Sequence, residues 1–377
     1  MTDVLRSQSA RLGLPAAAML LLAVSASPVS AESLTDWKCT GNADISWDEQ
    51  IAGCTDALKS GRFVGPAMTA ALYDRALAYQ NKGDYDSAMA DYTQVIALDP
   101  KNSAAYNNRG NVYQAKTQYE RAIDDYDQAI ALDPKYANAY NNRGNALKAK
   151  GNYDRAIADY DQAIALDPKF ALAYNGRGLA YQAKGAADRA AADYDQAIAL
   201  DPKFGSAYIN RGNLHHERGN YDRAIADYSQ AIALDLKSAM SYTNRGNSYK
   251  ANSDYDSAIA DYDRAIAQDP KYPIAYNGRG IARQAKGEFD RAIADYNSAI
   301  ALDPNYAFAY NNRGTAYKAK GDNDRAIADY DQAIALDPRY ALAYNNRGVA
   351  YKAKGDNDRA AADRNEAIRL DPKLSAK

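Results

Sequence analysis

The sequence predicts an all-α protein, an α-solenoid of nine helix-turn-helix repeats closed at its N-terminus by a capping segment. Three observations carry this. The phrase AYNNRG occupies Ala105–Gly110 and returns at Ala139–Gly144, Ala309–Gly314 and Ala343–Gly348, with near copies at Ala173–Gly178, Ala207–Gly212, Ser241–Gly246 and Ala275–Gly280. Its tyrosines stand 34 residues apart, a period that marks stacked repeats. The apolar letters, 47% of the 377 residues, are mostly Ala, Tyr and Ile, with 32 Tyr against 5 Phe. That suits many thin layers better than one large core.

Residues 1–31 read as a secretory signal. Arg6 and Arg11 give a basic start, Leu12–Val24 is a short apolar run, and small residues at Val29-Ser30-Ala31 precede a cut before Glu32. The run is too short to span a bilayer; the alternative is an uncleaved anchor. No second apolar stretch follows, so a soluble protein exported across the inner membrane, periplasmic or extracellular, is expected.

Residues 32–68 read as an N-terminal cap. Its segment Trp47–Leu58 carries the second-helix pattern of the repeat, with Cys54 where Tyr126 stands in the reference repeat. Cys39 and Cys54 are the only cysteines. In an oxidising compartment they are most simply a disulfide; two free buried thiols are the alternative.

Nine repeats fit from Thr69 to Leu374: 69–102, 103–136, 137–170, 171–204, 205–238, 239–272, 273–306, 307–340 and 341–374, leaving 375–377 as a tail. In the reference repeat, 103–136, Tyr106, Gly110 and Tyr113 share one face of a helix over Ala104–Ala115. Tyr119, Ala122, Ile123, Tyr126, Ala129 and Ile130 share a face of a second helix over Tyr119–Leu132. The break between them is usually Gly (Gly83, Gly151, Gly185, Gly219, Gly287, Gly321, Gly355), followed by Asp or Asn suited to capping, as at Asp84, Asn152, Asn220, Asp322 and Asp356. Asp133-Pro134 stops the second helix. Gly110 and Ala122 are expected where the two helices cross. A single pair of helices cannot bury both faces, so repeats must stack. The first repeat is degenerate, with Leu72 and Ala76 in the places of Tyr106 and Gly110, and the last has Arg364 in the place of Tyr126, as a polar end requires.

Tyr106, Gly110, Tyr113, Ala122, Tyr126, Ala129 and Pro134 in a 34-residue unit resemble the tetratricopeptide repeat, over Thr69–Leu374. The resemblance implies a right-handed superhelix with first helices on its concave side and second helices on its convex side. It also implies a non-catalytic scaffold that binds proteins or peptides, with no cofactor. One position departs from the family. Where a large apolar residue is usual, Arg stands in all nine repeats, from Arg75 and Arg109 to Arg347, and each has an Asp sixteen residues on. Pairing between the two helices of a repeat follows from the needs of a half-buried guanidinium; the alternative is copied letters that never touch.

The candidate binding residues are the asparagines of the phrase. Asn108, Asn142, Asn210, Asn244, Asn312 and Asn346 recur once per repeat, interrupted by Gly176 and Gly278, with Asn107, Asn141, Asn311 and Asn345 beside them. As a ladder along the groove they offer two donors and an acceptor each to an amide backbone, a role that a similar ladder has in protein O-linked N-acetylglucosaminyltransferases; the alternative is a solvated helix face. Lys148, Lys250, Lys318 and Lys352 replace Gln114 in several repeats and give the groove a mild positive tint, which would suit an extended acidic or polar partner; the alternative is solvated surface charge.

Other chemistry is not expected. A net charge of −2 offers no footprint for nucleic acid. Adjacent His215 and His216 point about 100° apart on a helix and make no metal clip, and His215 takes the packing slot of Tyr113. No nucleophile-base order or nucleotide loop is present, so an enzyme is not expected. Two alternatives to the extracytoplasmic scaffold remain: an envelope or exopolysaccharide assembly component, and an accessory repeat subunit of a separate enzyme.

Overall fold

The structure, a computed structural model, describes Cys39 and residues 45–61, 63–234 and 237–376. The expected signal segment lies outside the described residues. Two compact units divide the chain between Ala186 and Ala187. The first holds α1 (Trp47–Lys59), α2 (Pro66–Lys82), α3 (Tyr85–Leu98), α4 (Ser103–Ala115), α5 (Tyr119–Leu132), α6 (Ala137–Ala149), α7 (Tyr153–Leu166) and α8 (Ala171–Ala183). The second holds α9 (Ala187–Leu200), α10 (Gly205–Glu217), α11 (Tyr221–Ala233), α12 (Ala239–Ala251), α13 (Tyr255–Gln268), α14 (Pro273–Ala285), α15 (Phe289–Leu302), α16 (Ala307–Ala319), α17 (Asn323–Leu336), α18 (Ala341–Ala353) and α19 (Asn357–Leu370), then a 3-10 turn over Pro372–Ala376. Every described element is helical.

Within each unit every helix packs on its neighbours in sequence. The first helices of successive repeats also meet (α4 with α6, α14 with α16), whereas successive second helices do not. The first-helix side is therefore the inner side of each stack.

The turns follow from local chemistry. Gly83, Gly151, Gly185, Gly219, Gly287, Gly321 and Gly355 all have φ between +73° and +86°, open to glycine at little cost. Thr117 and Ser253 hold the same place at φ +59° and +62°. The caps divide. Asp84, Asp254, Asp322 and Asp356 accept a backbone N–H from three residues on, but Asn152 and Asn220 make no side-chain cap bond, contrary to the expectation from sequence. At the other end Asp133 Oδ1 accepts from the Lys135 amide at 3.0 Å, closing the turn around Pro134.

The core is a row of tyrosines. Tyr92, Tyr126, Tyr160, Tyr228, Tyr262, Tyr296 and Tyr330 are buried with alanines on either side. A buried phenol needs a partner, and the first helix supplies it: Tyr126 donates to Asn111 Oδ1 at 2.8 Å, Tyr160 to Asn145 at 2.8 Å and Tyr262 to Asn247 at 2.7 Å. Burial pushes these hydroxyls far above their ordinary pKa. The glycine of the phrase exists for this ring. A Cβ at Gly110 would meet Tyr126 Cε1 at 2.7 Å, so the glycine admits an aromatic edge and does not simply face Ala122 as the spacing suggests.

The disulfide Cys39–Cys54 is present, with both residues buried. Ser46 and Glu49 form a capping box on α1, and Gln50 donates to the Cys39 carbonyl at 3.1 Å.

Candidate functional site

The recurring polar letters fall into two sets: those consumed in holding repeats together and those left facing outward. The arginines belong to the first set. Arg143 donates from Nε and Nη2 to both oxygens of Asp159 at 2.8 and 2.6 Å, a bidentate pair between its own two helices. Its Nη1 reaches back to Asp127 of the preceding repeat at 2.6 Å. The same fork joins Arg109 to Asp125, Arg245 to Asp261 and Arg347 to Asp363. The backward bond goes to Thr93, Ser229 and Asp331 respectively. The tyrosine three residues earlier lies against each guanidinium, Tyr140 at 5.5 Å from that of Arg143. The pairing read from the sixteen-residue spacing is thus formed, with a bond between repeats that the sequence did not suggest. A second link runs along the turns, where Lys116 pairs with Asp86, Lys150 with Glu120 at 2.7 Å, and Arg218 with Asp188 at 2.6 Å. The cap copies both: Arg75 donates to Thr55, and Lys82 pairs with Asp48. Helix α1 therefore offers α2 what a second helix would.

The asparagines are placed differently from the expectation. Asn107, Asn141 and Asn311 are not groove-facing; they are 4%, 5% and 2% exposed, wedged between successive first helices. They link their neighbours into a chain. Asn108 donates to the Tyr73 hydroxyl at 2.7 Å, Asn107 to Asn108 at 3.0 Å, Asn142 to Asn107 at 3.0 Å and Asn141 to Asn142 at 3.2 Å. In the second unit Asn312 donates to Asn277, Asn311 to Asn312, and Asn346 to Asn311. Much of the ladder's bonding capacity is therefore used internally. Asn244 donates to Asn213 at 3.3 Å, Asn210 is partly buried in the matching place on α10, and Asn345 accepts from Arg364 at 3.2 Å.

Two rungs are missing. At Gly176 and Gly278 a Cβ would lie 2.6 Å from the rings of Tyr160 and Tyr262. The acceptors that an asparagine there would serve, Asn141 Oδ1 and Thr243 Oγ1, are buried without a partner.

Two residues before the phrase tyrosine, several first helices leave a large apolar side chain outward, whereas Asn138 and Ser206 hold that place in α6 and α10. Leu172, Met240, Ile274, Phe308 and Leu342 are large and exposed. Phe308 stands against Tyr306 and Tyr340, ring centres 6.2 and 5.0 Å away. From Met240 to Leu342 these letters stand 34 residues apart, a signal that the sequence carries without repeating one residue type. Lys250 and Lys318 lie at the other end of their helices, partly buried, with Lys352 exposed beside them. Burial holds Lys250 below its ordinary pKa and lowers Lys148 to about 8. In the first repeat Asp74 takes the ladder position, and burial raises its carboxyl to about 6.

His215 and His216 diverge as expected: His216 Nδ1 meets Ser248 Oγ at 2.8 Å, while His215 faces Asp227 at 4.0 Å. Among the described residues no cluster of His, Cys, Asp and Glu is placed to hold a metal, and no helix is long and apolar enough to cross a membrane.

Comparison with family models matches "TPR repeat" at 76–117, 115–151, 144–185, 212–253 and 314–355. Models described as "Tetratricopeptide repeat" match at 243–307, at 193–226 and 296–328, and at 171–204 and 341–374. The chain belongs to the tetratricopeptide repeat family. Similar solved structures include the APC/C hetero-tetramer Cut9-Hcn1, at 15% identity over 88% of this chain and 82% of that one, TM-score 0.52. PilW, described as a type IV pilus biogenesis factor, matches at 22% identity over 55% and 96%, TM-score 0.52. YrrB, described as having an unusual peptide-binding site, matches at 23% over 49% and 95%, TM-score 0.42. At these identities the likeness concerns the fold. No curated protein sequence matches the chain. In this tetratricopeptide repeat array the unusual arginine is a junction residue, so the binding surface has to be sought among side chains that the junctions leave unused.

Proposed function

We propose that the chain is a non-catalytic scaffold that binds proteins or peptide segments on its first-helix face, outside the cytoplasm. Tetratricopeptide repeats serve protein–protein interaction, and that supports the general role. The observation that carries the choice of face is the division of labour described above. Arg and Asp are spent on junctions, while Met240, Ile274, Phe308 and Leu342 recur on the first helices and stay exposed. Asn108, Asn142, Asn210, Asn244, Asn312 and Asn346 form the floor of this face, with Lys250 and Lys318 bordering it. A disulfide-pinned cap fits an oxidising compartment, in keeping with the signal-like segment at residues 1–31.

Affinity capture from an extracytoplasmic fraction tests this, comparing the wild-type chain with an Ile274→Asp/Phe308→Asp variant of equal helicity. Partners lost only with the variant support the reading; the same partners with both would remove binding from this face. N-terminal sequencing of the native protein starting at Glu32 would support export.

A further inference from the structure

In the second unit the first-helix face has two unlike edges. Along one run Met240, Ile274, Phe308 and Leu342, each 43–55% exposed. Along the other run Lys250, Lys318 and Lys352, ten residues further down their helices, or about 15 Å at the helical rise. Helices α12, α14, α16 and α18 contain no Asp or Glu at all. Their arginines 245, 279, 313 and 347 are held by aspartates of the second helices. The three lysines have no ion-pair partner among the described residues, so the face is net positive although the chain is not.

Between the edges lies the asparagine chain, whose amides are largely bonded to one another. That matters for what binds. An extended peptide brings backbone N–H and C=O groups that must be satisfied when water leaves, and this floor has few groups to spare. A helix satisfies its own backbone and needs only side-chain contacts. Stacked helices lie about 8–10 Å apart, close to the roughly 10.5 Å that seven residues advance along a helix.

Resting on the reading of this face as the binding surface, we propose that its occupant is an acidic amphipathic helix. It lies across α12, α14, α16 and α18, apolar residues recurring at every seventh position along Met240, Ile274, Phe308 and Leu342, and carboxylates toward Lys250, Lys318 and Lys352. Three intervals of about 10 Å call for about twenty residues of helix.

The test uses the full chain and three labelled peptides of about twenty residues: a Leu/Glu amphipathic helix, its Leu/Lys counterpart, and a Leu/Glu peptide of the same composition broken by two prolines. Fluorescence anisotropy is read with wild type, Phe308→Ser and Lys318→Glu, all of equal helicity. The Leu/Glu helix is expected to bind wild type at least tenfold more tightly than either other peptide, and each variant to weaken it at least tenfold. Equal binding of the Leu/Lys helix, equal binding of the proline-broken peptide, or no binding of any peptide overturns the proposal. A displayed library of unrelated peptides separates its failure from that of the underlying reading. Library binders lost with Phe308→Ser that are neither acidic nor helical would leave the face and refute the helix; binders kept equally by all three proteins would refute both.

Discussion

Arg143 grips Asp159 across its own repeat through two bonds of 2.8 and 2.6 Å, and with its third nitrogen holds Asp127 of the repeat before. One side chain thus closes a helix pair and a junction at once. Asp159 is nearly buried and Asp127 is half exposed, so the two bonds should differ in weight. Asp159→Ala leaves a charged guanidinium without its partner and should cost on the order of 3 kcal/mol in urea denaturation. Asp127→Ala should cost less than about 1 kcal/mol. Equal effects would mean that Arg143 relaxes toward water.

Asn142→Ala removes the donor to Asn107 and the acceptor for Asn141, both buried. The expected loss is about 1–3 kcal/mol. Asn345→Ala, at the end of the array, should cost under about 0.5 kcal/mol. Urea midpoints decide it, and any loss of binding in ladder variants has to be read against them.

Asp74 supplies a pH signature. Its folded pKa of about 6 stands above the ordinary 3.8, so between those values the folded chain holds a proton that the unfolded chain has lost. Stability from this group therefore falls as pH rises through that window, and the penalty persists above it. Asp74→Asn should be more stable than wild type at pH 7, by up to about 3 kcal/mol, and indistinguishable near pH 3.5. Denaturation curves at the two pH values check the sign.

Gly110→Ala puts a methyl group 2.7 Å from the buried Tyr126 ring. A gain of up to about 1 kcal/mol in helix propensity should lose to overpacking of about 1–3 kcal/mol. The net fall in thermal midpoint should shrink when Tyr126 is replaced by Leu.

The helices and their turns were legible because period, glycine and Asp-Pro recur together, and the Arg–Asp pairs because both letters repeat at one spacing. The asparagines were not. Asn107 and Asn108 are adjacent on one helix, and only the position of the next helix decides which is wedged inside and which borders the face. The apolar row was hidden for another reason: Met240, Ile274, Phe308 and Leu342 differ in letter, so identity of sequence does not mark them. Asn152 resembled a cap by position, yet made no cap bond, where Asp84 and Asp356 did.

The chain of amides through Asn107, Asn108, Asn141 and Asn142 has a polarity. Donation runs one way, from Asn141 to Asn142 to Asn107 to Asn108 to Tyr73, each link between helices stepping back one repeat, and the line ends in the bare oxygen of Asn141. Side-chain dipoles so aligned add as those of peptide groups do along a helix. Turning one amide over would set donor against donor at the next link, so the whole line has to turn together or not at all. This row of asparagines thereby tells one end of the stack from the other, though its repeats are nearly alike.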